Sequence, residues 1–82
     1  MRYVFLWDDD PEEGNVAHIA EHGLSPEDVE HAFQNVLRET TSHSSGRPAL
    51  FGLAPDDRVL FVVYEEIDKG MIYVFTAYEC EV

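Results

Sequence analysis

An α+β domain is what this sequence predicts: one strand, two helices, then a three- or four-stranded antiparallel meander, with both helices packed on one face of the sheet. Three observations carry that expectation. Helix-starting punctuation is confined to the first half of the chain, at Asp10-Pro11 and Ser25-Pro26. The second half consists of short β-branched and aromatic runs separated by turn residues. The length, 82 residues, leaves room for one domain with a single modest core. Helices gathered before strands, rather than alternating with them, favour a layered α+β arrangement over a parallel α/β sheet.

The first strand is expected over residues 3 to 7, Tyr-Val-Phe-Leu-Trp, which are bulky, β-prone and uninterrupted. Such a run suits a strand covered on both faces, or an edge strand under a helix. Asp10 can cap a helix running from Pro11 to His22, because proline at the first helical position lacks an N–H that would go unpaired there anyway. Glu12 and Glu13 suit the positive end of that helix, and Gly23 the left-handed residue that stops it. Val16, Ala17, Ile19 and Ala20 form its apolar stripe. Ser25-Pro26-Glu27-Asp28 starts a second helix reaching about Asn35, with Val29, Ala32, Phe33 and Val36 repeating at helical spacing.

Strands follow at Leu37–Thr41, Ala49–Leu53, Arg58–Glu65 and Met71–Ala77. The loop Ser42-His43-Ser44-Ser45-Gly46 and the turns at Pro55-Asp56-Asp57 and Glu66-Ile67-Asp68-Lys69-Gly70 separate them. Each neighbouring pair is short-linked, so the pairing should be antiparallel.

Composition limits function. The net charge is -12, from 5 Lys and Arg against 17 Asp and Glu. Phosphate backbones are held by cationic side chains and repelled by an acidic field, so RNA is disfavoured on average and a basic protein partner suits the surface better. Any basic patch must be assembled from Arg2, Arg38, Arg47, Arg58 and Lys69, which lie far apart in the chain. A single cysteine, Cys80, rules out an internal disulfide and a cysteine-ligated metal. The longest apolar run, Val59 to Tyr64, is far short of the roughly 20 residues that span a bilayer. Met1-Arg2-Tyr3 lacks the layout of a signal peptide, and a cytoplasmic protein with no membrane contact is expected.

Trp7-Asp8, Asn15 followed by His22-Gly23, the helix start at Ser25, Arg47 with Gly52, the run Arg58-Val59-Leu60-Phe61-Val62-Val63-Tyr64, and Ile72 leading to Thr76-Ala77 occur in one order along nearly the whole chain. That order resembles the BrnT toxin family. The resemblance implies a compact fold like that of RelE-type ribosome-associated ribonucleases, and a genetic partner, an antitoxin that often binds DNA through a ribbon-helix-helix domain. It carries over His22, Arg47 and Arg58 as site residues. The departures fall on cationic positions: Glu21 stands where the family usually has lysine, and Tyr73 and Tyr78 where it usually has arginine. The family's basic C-terminal helix has no counterpart after Glu81-Val82.

Cleaving RNA without a metal needs a proton acceptor for the 2′-hydroxyl, a proton donor for the leaving oxygen, and positive charge for the phosphorane-like transition state. Chemistry adds to the carried-over residues a candidate set: His22, or His18, as acid and base, Arg47 and Arg58 as phosphate contacts, and Tyr64, Tyr73 and Tyr78 as donors. No cofactor is called for. His18-Ile19-Ala20-Glu21-His22 has the H-x-x-E-H form of inverted zinc peptidases, but a chain this short has no long helix for the third ligand, and a solvent-facing helix surface is the simpler reading. Asp8-Asp9-Asp10 lacks the alternation of a calcium loop and is read as helix capping. These observations leave two readings of function, a BrnT-like member of a toxin-antitoxin pair whose ribonuclease activity is weakened or lost and a non-catalytic interaction module derived from the same fold, and either is compatible with a homodimer.

Overall fold

The computed structural model describes residues 3–80. Arg2 of the candidate cations and the terminal Glu81-Val82 lie outside them. The element order is β1 (Val4–Leu6), α1 (Asn15–Ala20), α2 (Pro26–Gln34), β2 (Val36–Thr41), β3 (Pro48–Leu53), β4 (Val59–Asp68) and β5 (Met71–Glu79).

These strands form one five-stranded sheet in the order β1-β5-β4-β3-β2. The last four make the expected antiparallel meander, each pairing with its neighbour in sequence. The sheet as a whole is not antiparallel, however. β1 runs parallel to β5, with Val4 opposite Met71 and Leu6 opposite Tyr73, so the architecture is a mixed sheet with the first and last strands side by side. Turn chemistry reveals neighbouring pairs only, and β1 is separated from its parallel partner β5 by both helices and by the whole of β2–β4. β1 and β2 occupy opposite edges, and the segment between them carries α1 along β5 and α2 over β3 and β4. Ile19 of α1 and Val29, Ala32 and Phe33 of α2 pack there on Leu50, Leu60, Val62, Ile72, Val74 and Ala77.

Helix α2 follows its sequence signals closely. Ser25 and Asp28 form a reciprocal capping box, with the Ser25 N–H donating to Asp28 Oδ2 at 2.9 Å and the Asp28 N–H donating to Ser25 Oγ at 3.4 Å. Helix α1 does not begin at Pro11. Asp10 Oδ1 does accept from the Glu12 and Glu13 N–H groups, at 2.9 and 3.0 Å, but these close a turn rather than a helix. Gly14 then sits in extended conformation, φ -72° and ψ 152°, and caps a helix of only six residues. The chain folds back so tightly that a Cβ at Gly14 would lie 2.3 Å from the Asp8 carbonyl oxygen. Gly23, at φ +77°, is the expected left-handed stop.

The backbone N–H groups of Glu13 and Glu12 hold the Asp10 carboxyl below its ordinary pKa. A depressed carboxylate contributes stability above its unfolded pKa and loses it as pH falls through the folded value. The difference in thermal midpoint between wild type and Asp10→Ala should therefore be full at pH 6 and shrink as pH drops below about 4. Paired melts across that range test it; a gap independent of pH would mean that the charge contributes nothing.

Candidate functional site

Alternation along the strands divides the sheet into two unlike faces. Leu50, Gly52, Leu60, Val62, Tyr64, Ile72 and Val74 point to the helices, as their register and packing show. Their neighbours point the other way, where among the described residues α2 does not lie over them and α1 reaches only β5, and this open face is aromatic. Phe51 stands opposite Phe61, and Phe61 opposite Tyr78, with ring centroids 5.0 and 5.4 Å apart. Arg38 on β2 is in register with Phe51, and at the other end the His22 ring lies 5.9 Å from Tyr78. One row thus crosses four strands and reaches α1.

A second row runs beside it: Thr40 opposite Ala49, Ala49 opposite Val63, Val63 opposite Thr76. His18 Nε2 lies 3.1 Å from Thr76 Oγ1 at its end. Between Val63 and Tyr64 the register with β5 slips by one residue, leaving Phe75 as the extra residue of a β-bulge. The Arg47 guanidinium covers the Phe75 ring at 4.0 Å, and Phe75 touches Tyr73 at 5.1 Å. A cation over a ring face is electrostatically favourable and leaves the guanidinium edge free for an anion. The helix α1 can reach this face because β1 is too short to cover β5 beyond Tyr73, so α1 lies along the uncovered part of that strand.

Of the residues singled out from sequence, His22, Arg47, Tyr73 and Tyr78 lie on the open face in two separate groups, His22 with Tyr78, and Arg47 with Tyr73 about Phe75. Arg58 and Tyr64 do not join them. Arg58 is turned toward the helix layer, where Asp56 accepts from its Nε at 2.7 Å and Asp28 and Glu79 each lie 3.7 Å away. The hydrogen bond with Arg58 pulls the Asp56 carboxyl below its ordinary pKa, and Asp56 in turn raises that of Arg58. Three carboxylates within 3.7 Å already compensate the guanidinium's charge, which weakens its pull on a phosphate. Tyr64 packs its ring on Phe33 at 4.9 Å, and burial, aided by Glu39, Tyr3 and Glu66, pushes its phenol above the ordinary value.

Sequence reasoning did not single out Phe51, Phe61 or Phe75, and named Arg38 only as a scattered cation. A signal for them existed: Gly52 marks the face of β3 that something must approach closely, so Phe51 belongs to the opposite one. No protein-family model, curated protein or solved structure matches this chain. The His18 and His22 rings are 5.8 Å apart, and among the described residues no three His, Cys, Asp or Glu side chains are grouped to hold a metal ion. Nor is any helix of the described residues long and apolar enough to cross a membrane.

Proposed function

We propose that this chain is a BrnT-like, toxin-side member of a type II toxin-antitoxin pair, held by a basic antitoxin-like partner, with RNA as the substrate of whatever ribonuclease activity it retains. The observation that carries the reading is the placing of His22 with Tyr78, and of Arg47 with Tyr73 about Phe75, on one and the same sheet face. An imidazole, a guanidinium and phenols on one surface are the groups that metal-independent phosphodiester cleavage requires. The acidic surplus of the chain suits a basic protein chain as the partner.

Induced expression tests the catalytic half. Wild type should arrest growth, Arg47→Ala should abolish the arrest, and Arg58→Ala should leave it in place, because Arg58 is committed to Asp56, Asp28 and Glu79. Equal loss in both variants would show that the two arginines act alike and would remove the open face from the argument.

The sequestration of Arg58 favours a second reading, a non-catalytic interaction module on the same scaffold. If wild type is harmless yet co-purifies with the basic product of a neighbouring reading frame, that reading replaces the first.

A further inference from the structure

The aromatic row on the open face is longer than cleavage alone explains. A cleavage site needs a few groups around one phosphate, whereas Arg38, Phe51, Phe61, Tyr78 and His22 extend across the sheet from its β2 edge to α1. Resting on the toxin-side reading, we infer that this row is a track for single-stranded RNA running across the strands, with Phe51, Phe61 and Tyr78 as base-stacking stations and Arg38 as a phosphate contact. None of Arg38, Phe51 and Phe61 follows from the family resemblance.

Within the row itself, as distinct from the acidic molecule as a whole, the aromatic rings and Arg38 suit a nucleic acid. Although the whole molecule is strongly acidic, no carboxylate stands in the row among the described strand residues; the register puts Glu65 opposite Tyr73 and Asp68 opposite Met71 on this side, both further along the sheet, and Glu21 lies 3.6 Å from His18 on α1. Glu39 and Glu66 alternate to the helix side with Leu50 and Ile72, and Asp28, Asp56 and Glu79 surround Arg58 there. Arg38 and Arg47 are left on the open face. Stacking of bases on aromatic rings, flanked by a few cations, is the usual sequence-tolerant way to hold a single strand. The rings are accessible as such a role requires: Phe51 and Phe61 are half-buried, and Tyr78 is 39% exposed.

Fluorescence anisotropy with a labelled 12-nucleotide oligouridylate tests the track on the full chain. Two arginine contacts predict a single-strand salt slope of about -1.4, so affinity should fall about sevenfold between 50 and 200 mM salt. Arg38→Ala should reduce that slope by about 0.7, and Tyr78→Ala should weaken binding by about fivefold or more. Both side chains are exposed, and circular dichroism checks that each variant remains folded. Arg58→Ala should bind like wild type. No binding at 50 mM salt, or equal weakening by Arg58→Ala, would overturn the inference. So would sedimentation showing a wild-type dimer that Tyr78→Ala dissociates, since a second copy would then occupy the face. Growth arrest without Arg38- and Tyr78-dependent binding sinks the track alone; binding without arrest sinks the toxin reading and leaves the track in place.

Discussion

Asn15→Leu is expected to cost about 3 kcal/mol or more, because three backbone groups lose their partner at once. The Asn15 side chain is 3% exposed. Its Oδ1 accepts the Asp8 N–H at 2.7 Å, and its Nδ2 donates to the carbonyls of Leu6 at 2.9 Å and Val74 at 3.1 Å. The parallel pairing of β1 with β5 ends at Leu6 and Tyr73. The Asn15 amide takes over where the next strand residue would have bonded, and so fastens α1, β1 and β5 together. A domain of this size has a total stability of about 4–12 kcal/mol, so the loss is a large share of it. Urea unfolding followed by circular dichroism measures the cost. Fluorescence of Trp7, whose indole N–H donates to Glu30 at 2.7 Å, reports on the β1 end. Coincident transitions mean that the whole domain fails together; an earlier fluorescence transition means that β1 peels away first. Asn15→Asp separates hydrogen bonding from packing, since a carboxylate faces two carbonyl oxygens with nothing to donate. Its stability should recover in part as pH falls and the acid gains an O–H. A variant as stable as wild type at pH 7 would show that Asn15 holds nothing together.

That fastening explains why one part of the fold was hidden from sequence reading. The β2–β5 meander was legible because each hairpin declares itself locally: Gly46 at φ +73°, Asp57 at φ 69° and Gly70 at φ 77° supply the turns. The capping box of α2 was equally local. The neighbourhood of β1 and β5 joins the two ends of the chain, and no short-range pattern encodes it. Gly14 misled in the other direction, since a glycine three residues after a proline looks harmless in a helix until the chain is seen folding back on Asp8. The stretch Glu66–Asp68 reads as the start of a turn, yet it continues β4, because Ile72 and Met71 offer cross-strand partners.

The candidate site was legible as a set of residue types and illegible as a place. His22, Arg47 and the tyrosines follow from chemistry, but which of them meet depends on which strand face the helices cover. Arg58 and Tyr64 lie six residues apart and both face the helix layer, while Phe61 and Val63 between them face outward. Parity holds along the unbroken run from Arg58 to Tyr64 but is broken in β5 by the bulge at Phe75, and the absolute face is not legible at all, because β3, β4 and β5 are apolar on both sides. Only the position of α2 resolves it.

Gly52 is where that position is set, and Gly52→Ala should be the most damaging single-methyl addition in the sheet. A Cβ there would lie 2.3 Å from the Ala32 carbonyl oxygen, 2.9 Å from its carbonyl carbon and 2.9 Å from its Cβ. Backbone of a packed helix cannot step aside as a flexible side chain would, so α2 must lift from β3, at a cost of about 3 kcal/mol. The lift would also strain the contact of Phe33 with Tyr64 and the reach of Asp28 to Arg58. Gly46→Ala is the control for backbone conformation alone. It stands at φ +73° with nothing within 4 Å of an added Cβ, and should cost only about 1–2 kcal/mol for the left-handed geometry. Combining Gly52→Ala with Ala32→Gly should not restore stability, because the nearest obstacle is the carbonyl and not the methyl. If chemical denaturation ranks Gly46→Ala as the worse substitution, or if Ala32→Gly rescues, then α2 does not rest on Gly52 as described, and the division of the sheet into a helix-covered face and an open aromatic one loses its anchor.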